Sequence, residues 1–299
     1  MRVGFIGLGR MGLPLASHLV KNGVDVQAYD IHESPLEKIK QLGGKAATSP
    51  QELAQQSDLV FTMLPGPKQI KDVVLASDGV LHHLRPGAFL VDLSTIDTDT
   101  VDELYQAAKV KNIHFADAPV GRLAAHADRG ESLFMLGAED QDIEKLSEIL
   151  LKMGTTVQHC GIPGAGTRMK LINNLMVLCY CQINSEALVL SKALGLDSDK
   201  TFGVLTGTTA SNGQLKEKWK VKVLSGDLTP GFDIALGFKD LTLACQAAQS
   251  VGVSLPVGNI ARNMFQLARN AGKDGQDTSC MTDFWAEMNN VDKVRLSKP

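Results

Sequence analysis

The first half of the chain alternates short β-prone runs with amphipathic helical stretches. Helical patterns such as residues 13–21 and 35–41 lie between most of the β-prone runs. Those runs, each expected to form a strand, are residues 2–6, 24–29, 59–63, 88–92, 113–116, 133–136 and 155–160. Strands that are separated by helices predict βαβ units, and therefore an α/β domain with a doubly wound parallel sheet.

The second half has a different pattern. After Gly164 no turn signal interrupts the chain until Gly195, which predicts one helix about 45 Å long. Apolar residues cover most of its circumference, so we expect this helix to be buried. Beyond it, everything is predicted to be helical, with patterns at 233–251, 256–271 and 278–289. The predicted organisation is a doubly wound domain over residues 1–162, a connecting helix over 163–194 and an all-α domain over 195–299.

Composition excludes several classes of protein. The 299 residues are 44% hydrophobic and 21% charged, which is typical of a folded globular chain. A net charge of −3 and an aromatic content of 5% argue against nucleic acid or an anionic membrane as a partner. No apolar run reaches the roughly 18 residues of a membrane span. The five cysteines form no CxxC pair, so we expect free thiols, no zinc site and a cytoplasmic location.

A glycine-rich hexapeptide carries the first candidate chemistry. Gly7-Leu8-Gly9-Arg10-Met11-Gly12 follows the first predicted strand and opens a helix, the context that a dinucleotide-binding motif requires. Gly7 permits the tight turn, Gly9 lets a pyrophosphate approach the main chain, and Gly12 lets the helix pack on the strand. The amides that open the helix, around Arg10 and Met11, are suited to phosphate oxygens. The sequence therefore predicts a Rossmann-type cofactor site, the alternative being a glycine-rich turn without a ligand.

The next strand end indicates which dinucleotide binds. Asp30 closes the second strand, where a carboxylate accepts hydrogen bonds from ribose hydroxyls and repels a 2′-phosphate. Ile31 and His32 follow it, and neither is an Arg or Lys that would hold that phosphate. We therefore expect NAD as the cofactor. Further cofactor-binding candidates follow two other predicted strands, where ordinary loop residues are the alternative: Leu64, Pro65 and Thr95.

The predicted long helix carries the candidate acid/base. Lys170 and Asn174 are four residues apart and so lie on one face of that helix. Burial lowers the pKa of a lysine readily, which lets it exchange a proton with a carbonyl or alcohol oxygen. Asn174 is suited to hold a substrate hydroxyl or to position the lysine. Chemistry alone leaves open a lysine that reaches solvent beside structural amides.

Four blocks in order resemble the β-hydroxyacid dehydrogenases, the 3-hydroxyisobutyrate dehydrogenase family, over nearly the whole chain. They are residues 4–16, Asp117-Ala118-Pro119-Val120, residues 161–174 and Lys239-Asp240-Leu241. The resemblance implies that Lys170 is the catalytic acid/base, that Asn174 assists it, and that Lys239 lies near both substrate and nicotinamide. It also implies that the segment after Asp-x-Pro-Val binds the acid group of the substrate, and that the protein is a homodimer or homotetramer.

One departure from the family pattern concerns the substrate. The family usually has Ser-Gly-Gly after Asp-x-Pro-Val, whereas this chain has Gly121-Arg122-Leu123. A guanidinium supplies a permanent charge and a fork of donors that suits an oxyanion. The Gly-Arg variant resembles the 3-sulfolactaldehyde reductases within the family, in which the arginine faces a sulfonate. The predicted substrate site consists of Gly121, Arg122, Asn173, Asn174, Val177 and Lys239.

These observations predict NADH-dependent reduction of 3-sulfolactaldehyde to 2,3-dihydroxypropane-1-sulfonate, a small anionic aldehyde being the partner. Because arginine also binds carboxylates, three semialdehydes remain alternatives. They are succinic semialdehyde, which gives 4-hydroxybutyrate, methylmalonate semialdehyde, which gives 3-hydroxyisobutyrate, and tartronate semialdehyde. A non-catalytic NAD-binding protein and an imine reductase are remoter alternatives, since neither class is expected to keep the lysine at position 170.

Overall fold

The computed structural model describes residues 1–297 and divides into two units, Met1–Lys170 and the chain from Leu171 onward. The first unit contains nine strands: β1 Arg2–Ile6, β2 Asp25–Tyr29, β3 Lys45–Ala46, β4 Leu59–Thr62, β5 Phe89–Asp92, β6 His114–Asp117, β7 Val120–Gly121, β8 Ser132–Gly137 and β9 Gly154–Gly161. Its helices are α1 Gly12–Lys21, α2 Glu33–Gln41, α3 Pro50–Gln56, α4 Pro67–Ile70, α5 Val80–His83, α6 Thr98–Val110, α7 Ala124–Asp128 and α8 Ile143–Leu150. A π-helical turn follows α4 at Lys71–Leu75, and a 3₁₀ turn precedes α8 at Asp140–Asp142.

The strands form one sheet in the order β3-β2-β1-β4-β5-β6-β8-β7, with β9 paired to β8. Strands β3 to β6 along this order are parallel, which confirms the predicted doubly wound α/β domain. Strand β8 runs antiparallel to β6 and β7. The order reverses direction between β1 and β4, and in such sheets ligands bind beyond the carboxyl ends of the strands at that point.

Alternation along the central strands shows why both faces of this sheet are covered. In β1, Val3 and Phe5 pack into one core cluster, whereas Ile6 belongs to a second cluster. In β4, Phe61 belongs to the first cluster and Val60 to the second. Because successive side chains of a strand point to opposite faces, each face buries its own core.

The second unit is helical and has its own core, which includes Trp219 and Phe265. Its elements are α10 Ser198–Gly207, α11 Ile234–Ser250, α12 Pro256–Asn270 and α13 Met281–Met288, with a π-helical turn at Gln214–Trp219 and 3₁₀ turns at Val223–Ser225 and Thr278–Cys280. The expectation of helix throughout is wrong for residues 208–232, which contain only short turns and irregular chain. Gly213, Gly226 and Pro230 interrupt that segment, and such residues end helices.

Helix α9, Ala165–Ala193, is the predicted long helix and contains 29 residues. The expectation that it is buried all round is wrong. Ile172, Met176, Ile183 and Leu190 are 58%, 52%, 55% and 60% exposed. Their spacing of four and seven residues places them on one stripe of the helix. Hydrophobic periodicity cannot separate a stripe that is covered within the chain from one that faces outward.

All five cysteines are free, as predicted. Within residues 1–297, none of the helices combines the length and the apolar character needed to cross a membrane.

Candidate active site

The glycine-rich loop between β1 and α1 has the geometry that the motif predicts. Gly7 has a φ of +94°, and a Cβ on it would lie 2.2 Å from the Met63 carbonyl oxygen. A Cβ on Gly12 would lie 2.0 Å from the Gly7 carbonyl oxygen, whereas Gly9 has no heavy atom within 4 Å of that position. A side chain at Gly9 would fill this open cradle, so the loop fits the pyrophosphate of a dinucleotide.

Asp30 is fixed at the end of β2 by main-chain donors. Its Oδ2 accepts a hydrogen bond from the Leu8 amide at 2.6 Å, and its Oδ1 accepts one from the His32 amide at 2.8 Å. The carboxylate therefore links the end of β2 to the glycine-rich loop. As an ionised group it offers only acceptors, which suits the ribose hydroxyls of a cofactor.

A cavity of about 460 Å³ lies beside this loop, and Gly9, Arg10, Lys38 and Asp128 are among its lining residues. The Arg10 guanidinium donates to both oxygens of Asp128, at 2.8 and 2.6 Å. This contact raises the pKa of Arg10 and lowers the pKa of Asp128. The sequence prediction considered only the two residues after Asp30 and did not include Lys38. Lys38 lies about one turn into α2 and comes close to the glycine-rich loop only in the folded chain.

A buried network ties together the two loops that were predicted to contact the cofactor. Thr62 and Ser94 both donate hydroxyl hydrogen bonds to Asp92 Oδ1, at 2.7 and 2.6 Å. The Leu64 amide donates to Ser94 Oγ at 2.9 Å. Leu64 and Pro65 follow β4, and Thr95 follows β5. The hydrogen bonds around Asp92 and Ser94 hold the ends of these two strands together. Sequence reasoning missed Asp92, although a polar residue that ends a buried strand was a usable signal.

Asp117, at the end of β6, caps helix α9. Its Oδ1 accepts from the Gly164 amide at 2.6 Å and its Oδ2 from the Thr167 amide at 2.5 Å. Burial raises the pKa of Asp117 to about 6, while the two amide donors act in the opposite direction. A Cβ on Gly166 would lie 2.0 Å from the Met135 carbonyl oxygen, so only glycine allows this close approach. Asp117 was not assigned a role from sequence.

Lys170 lies one turn further along α9. Its Nζ donates to the Val120 carbonyl oxygen at 2.7 Å. The Asp-x-Pro-Val segment therefore contacts α9 twice, through the Asp117 carboxylate and through the Val120 carbonyl. This arrangement places Lys170 beside the residue that precedes Gly121, which itself pairs with Leu133 in the sheet.

Arg122 is exposed and has a φ of +69°, a left-handed conformation that favours glycine. Its Nη1 donates to the Glu131 carbonyl oxygen at 2.6 Å and to Thr155 Oγ1 at 2.9 Å. Its Nη2 donates to Thr156 Oγ1 at 3.2 Å. All three acceptors are neutral, and the Glu131 carboxylate is itself bound by Arg129.

The second unit brings together three more of the predicted residues around a buried carboxylate. Asn173 Nδ2 donates to Asn174 Oδ1 at 2.9 Å, and Asn174 Nδ2 donates to Asp240 Oδ2 at 2.6 Å. Lys239 Nζ lies 3.1 Å from Asp240 Oδ1. Val177 is half-buried against the core of this unit. No role for Asp240 follows from the sequence, because sequence does not show that an acid in an amphipathic helix is buried.

A glycine-rich βαβ loop, an acidic strand end and a lysine on the following long helix define a nicotinamide-dependent oxidoreductase. Comparison with family models agrees. Residues 2–161 match the NAD-binding domain of 6-phosphogluconate dehydrogenase, and residues 164–285 match the NAD-binding domain of NADP-dependent 3-hydroxyisobutyrate dehydrogenase.

Individual proteins are similar over nearly the whole chain. The 3-sulfolactaldehyde reductase of Escherichia coli strain K12 is 36% identical, with 94% of each chain covered. The 2-(hydroxymethyl)glutarate dehydrogenase of Eubacterium barkeri is 32% identical, with 97% of each covered. The crystal structure of a 3-hydroxyisobutyrate dehydrogenase from Salmonella typhimurium superimposes with a TM-score of 0.86 at 28% identity, covering 95% of this chain and 99% of the other. The chain belongs to the 3-hydroxyisobutyrate dehydrogenase family of NAD(P)-dependent oxidoreductases that act on CH–OH groups.

Proposed function

We propose that this protein reduces 3-sulfolactaldehyde to 2,3-dihydroxypropane-1-sulfonate with NADH. The observation that carries the proposal is the state of Arg122. A guanidinium has five N–H donors, and three of its hydrogen bonds end on Glu131, Thr155 and Thr156. Within residues 1–297 the Nε–H and one Nη2–H therefore keep no protein acceptor. Nε and Nη2 share one edge of the guanidinium plane, the fork that binds two oxygens side by side.

The backbone at Arg122 supports a functional role for this side chain. A non-glycine residue with positive φ costs on the order of 1 kcal/mol, and such strain is concentrated at functional sites. The sulfonate group has three oxygens and stays ionised at any workable pH, so a permanent cation with further N–H donors is complementary to it. The similarity to the reductase from Escherichia coli strain K12 supports the same substrate class.

The remaining residues are assigned roles in the reduction. Bound NADH supplies the hydride that the aldehyde carbon accepts. Lys170, held at the Val120 carbonyl, donates the proton to the aldehyde oxygen. Asn174 hydrogen-bonds to the same part of the substrate, and Lys239 adds positive charge beside substrate and nicotinamide. Gly121, Asn173 and Val177 complete the proposed substrate site.

We infer that NAD is preferred over NADP. Asp30 supports this preference, because its carboxylate accepts two amide hydrogen bonds and repels a 2′-phosphate. Arg10 does not offset that repulsion, since Asp128 already neutralises it. Lys38 is the nearby cation that acts in the opposite direction. The proposed cofactor contacts are Gly7, Gly9, Arg10, Met11, Gly12, Asp30, Leu64, Pro65, Thr95 and Lys239.

We also propose that the protein is a homodimer or homotetramer. The exposed stripe of Ile172, Met176, Ile183 and Leu190 supports this, because monomers rarely expose large contiguous apolar patches. On α12, Val257 and Ile260 are also more than half exposed, at 68% and 58%. Sedimentation velocity measures the mass directly, and a monomer would contradict the proposal. The five free cysteines support a reducing, cytoplasmic location.

The substrate proposal is tested by kcat/KM with NADH for 3-sulfolactaldehyde beside succinic, methylmalonic and tartronic semialdehydes. We expect the sulfonate to be preferred by about 100-fold, which corresponds to about 2.7 kcal/mol of transition-state discrimination. An equal or higher value for a carboxylate would contradict the sulfonate assignment. It would leave Arg122 as a general anion-binding residue.

Arg122→Gly removes the fork and restores the residue that suits a positive φ, so the fold is expected to tolerate it. This variant should lose most of the 100-fold preference. Arg129→Ala is the matched control, because Arg129 is also exposed and its guanidinium donates two hydrogen bonds to Glu131. The control should keep the preference of the wild type.

A further inference from the structure

Asp240 is a buried carboxylate that contacts two residues of the proposed site. It lies on α11 and is 3% exposed, and it accepts from Asn174 at 2.6 Å through Oδ2. Its Oδ1 lies 3.1 Å from Lys239 Nζ. We propose that Asp240 is a positioning residue that fixes the amide of Asn174 and the ammonium group of Lys239. The proposal rests on the proposed function for the roles of those two residues.

The charge of Asp240 determines which way the Asn174 amide is turned. An ionised carboxylate can only accept hydrogen bonds, so Asn174 must direct its NH₂ group toward Asp240. The amide oxygen of Asn174 then accepts from Asn173 Nδ2 at 2.9 Å. Asn174 is left with one N–H for a ligand, and one of the two acceptor positions of its oxygen is occupied. The remaining N–H can donate a hydrogen bond to the substrate.

The contact between Lys239 and Asp240 is not the default geometry of a helix. Neighbouring residues on a helix do not face each other, so the lysine has to bend back to reach the carboxylate. The side chain of Lys239 is only 26% exposed, compared with 4% for Asp240. A buried charge without partners is strongly destabilising, so the hydrogen bond from Asn174 and the ion pair with Lys239 make the burial of Asp240 possible. The same contacts hold the ammonium group in one place.

A double-mutant cycle between Asp240 and Asn174 tests whether Asp240 acts through the amide. The substrate is whichever of the four aldehydes (3-sulfolactaldehyde and the three semialdehydes) is turned over fastest. Failure of the sulfonate assignment therefore does not affect the result. We expect Asp240→Asn and Asn174→Ala each to lower kcat by about 10- to 100-fold, since small misplacements cost this much. The double variant should fall by no more than about threefold below the slower single variant. Losses that multiply would overturn the proposal.

Asp283→Asn is the matched control for burial. Asp283 is also a buried acid of the second unit, and it is paired with Arg295 at 2.7 and 2.6 Å. This control should lower the melting temperature, and any effect on kcat should multiply with that of Asn174→Ala. If Asp240→Asn loses the far-ultraviolet circular dichroism of the wild type, Asp240→Glu replaces it in the cycle. Loss of fold in both variants would overturn the proposal by making Asp240 a stability residue.

Discussion

Two parts of the molecule hold their candidate functional side chains through different kinds of contacts. At the end of β6 and the start of α9, in the N-terminal unit, the partners are main-chain groups. Asp117 accepts from the amides of Gly164 and Thr167, and Lys170 donates to the carbonyl of Val120. In the C-terminal unit the partners are side chains, since Asn174 contacts Oδ2 of Asp240 and Lys239 contacts Oδ1 of the same carboxylate.

This difference predicts that substitutions in the two places have different effects on stability and on activity. A group that is held by main-chain atoms depends on strand ends and helix starts, so a change there alters the fold as well as the site. A group that is held by side chains can be changed with less effect on the backbone. We therefore expect substitutions around Asp117 to reduce both stability and activity, and substitutions around Asp240 to reduce mainly activity.

Lys170→Ala gives the largest expected effect. It is an exception to the comparison, because a residue held by a main-chain group is here expected to affect mainly activity. Lys170 is held by a main-chain carbonyl, and we propose that it supplies the proton. We expect kcat to fall by on the order of 10²- to 10⁴-fold, the usual contribution of a general acid. The hydrogen bond to the Val120 carbonyl that is lost should lower stability by about 1 kcal/mol. Steady-state kinetics measures the first effect, and urea unfolding measures the second.

Binding of NADH, followed by fluorescence titration, should survive in Lys170→Ala. Lys152→Ala is the control, because Lys152 is an exposed lysine of the same unit. It should retain the kcat of the wild type. A Lys170→Ala enzyme that kept its activity would show that another group donates the proton.

Much of the fold could be predicted because hydrophobic periodicity indicates whether a segment forms a helix or a strand. The strands of the parallel sheet and the 29-residue helix α9 follow from alternation and from the absence of turn residues. The two-residue strands Lys45–Ala46 and Val120–Gly121 are too short to show any period. The outward stripe of α9 could not be predicted either, since the hydrophobic periodicity of a helix is the same for a covered face and for an exposed one.

The candidate site could be predicted where a residue type itself implies geometry. Gly7 and Gly12 were assigned from their spacing, and the clearances in the structure explain both. Asp92, Asp117 and Asp240 were not assigned roles, because an acid in a sequence is usually a solvated one. Their roles depend on burial and on donors that lie far away along the chain.

Gly166→Ala tests the main-chain side of the comparison. The added Cβ would lie 2.0 Å from the Met135 carbonyl oxygen and 2.8 Å from the Asp117 carbonyl oxygen. Because both obstacles are backbone, the start of α9 has to move. We expect the free energy of unfolding to fall by about 3 kcal/mol or more, in the range of severe overpacking. Activity should fall as well, since Lys170 moves with the helix.

Gly203→Ala is the matched control for this substitution. Gly203 lies within α10, and a Cβ there would meet no heavy atom within 4 Å. Alanine is the better helix former, so this variant should gain about 0.5–1 kcal/mol in stability. Equal stability of the two variants in urea unfolding would contradict the role given to the close approach at Gly166.

The pH dependence of stability gives the smallest expected effect and concerns Asp117 alone. Burial raises the pKa of Asp117 to about 6 in the folded protein, compared with about 3.8 for the group in water. The folded state therefore binds more protons than the unfolded state between these values. The contribution of this group to stability is full below pH 3.8 and is lost as the pH rises through 6. The shift corresponds to about 3 kcal/mol at most.

The difference in unfolding free energy between the wild type and Asp117→Asn isolates this contribution. Measured by urea unfolding, the wild type should lose stability relative to the variant from about pH 4 to pH 7. Asp128→Asn is the control, because its hydrogen bond with Arg10 lowers the pKa of Asp128. Asp128 contributes stability above its unfolded pKa and loses it only as the pH falls further, so this second difference should be flat above pH 5. A flat difference for Asp117 as well would show that its two amide donors outweigh its burial.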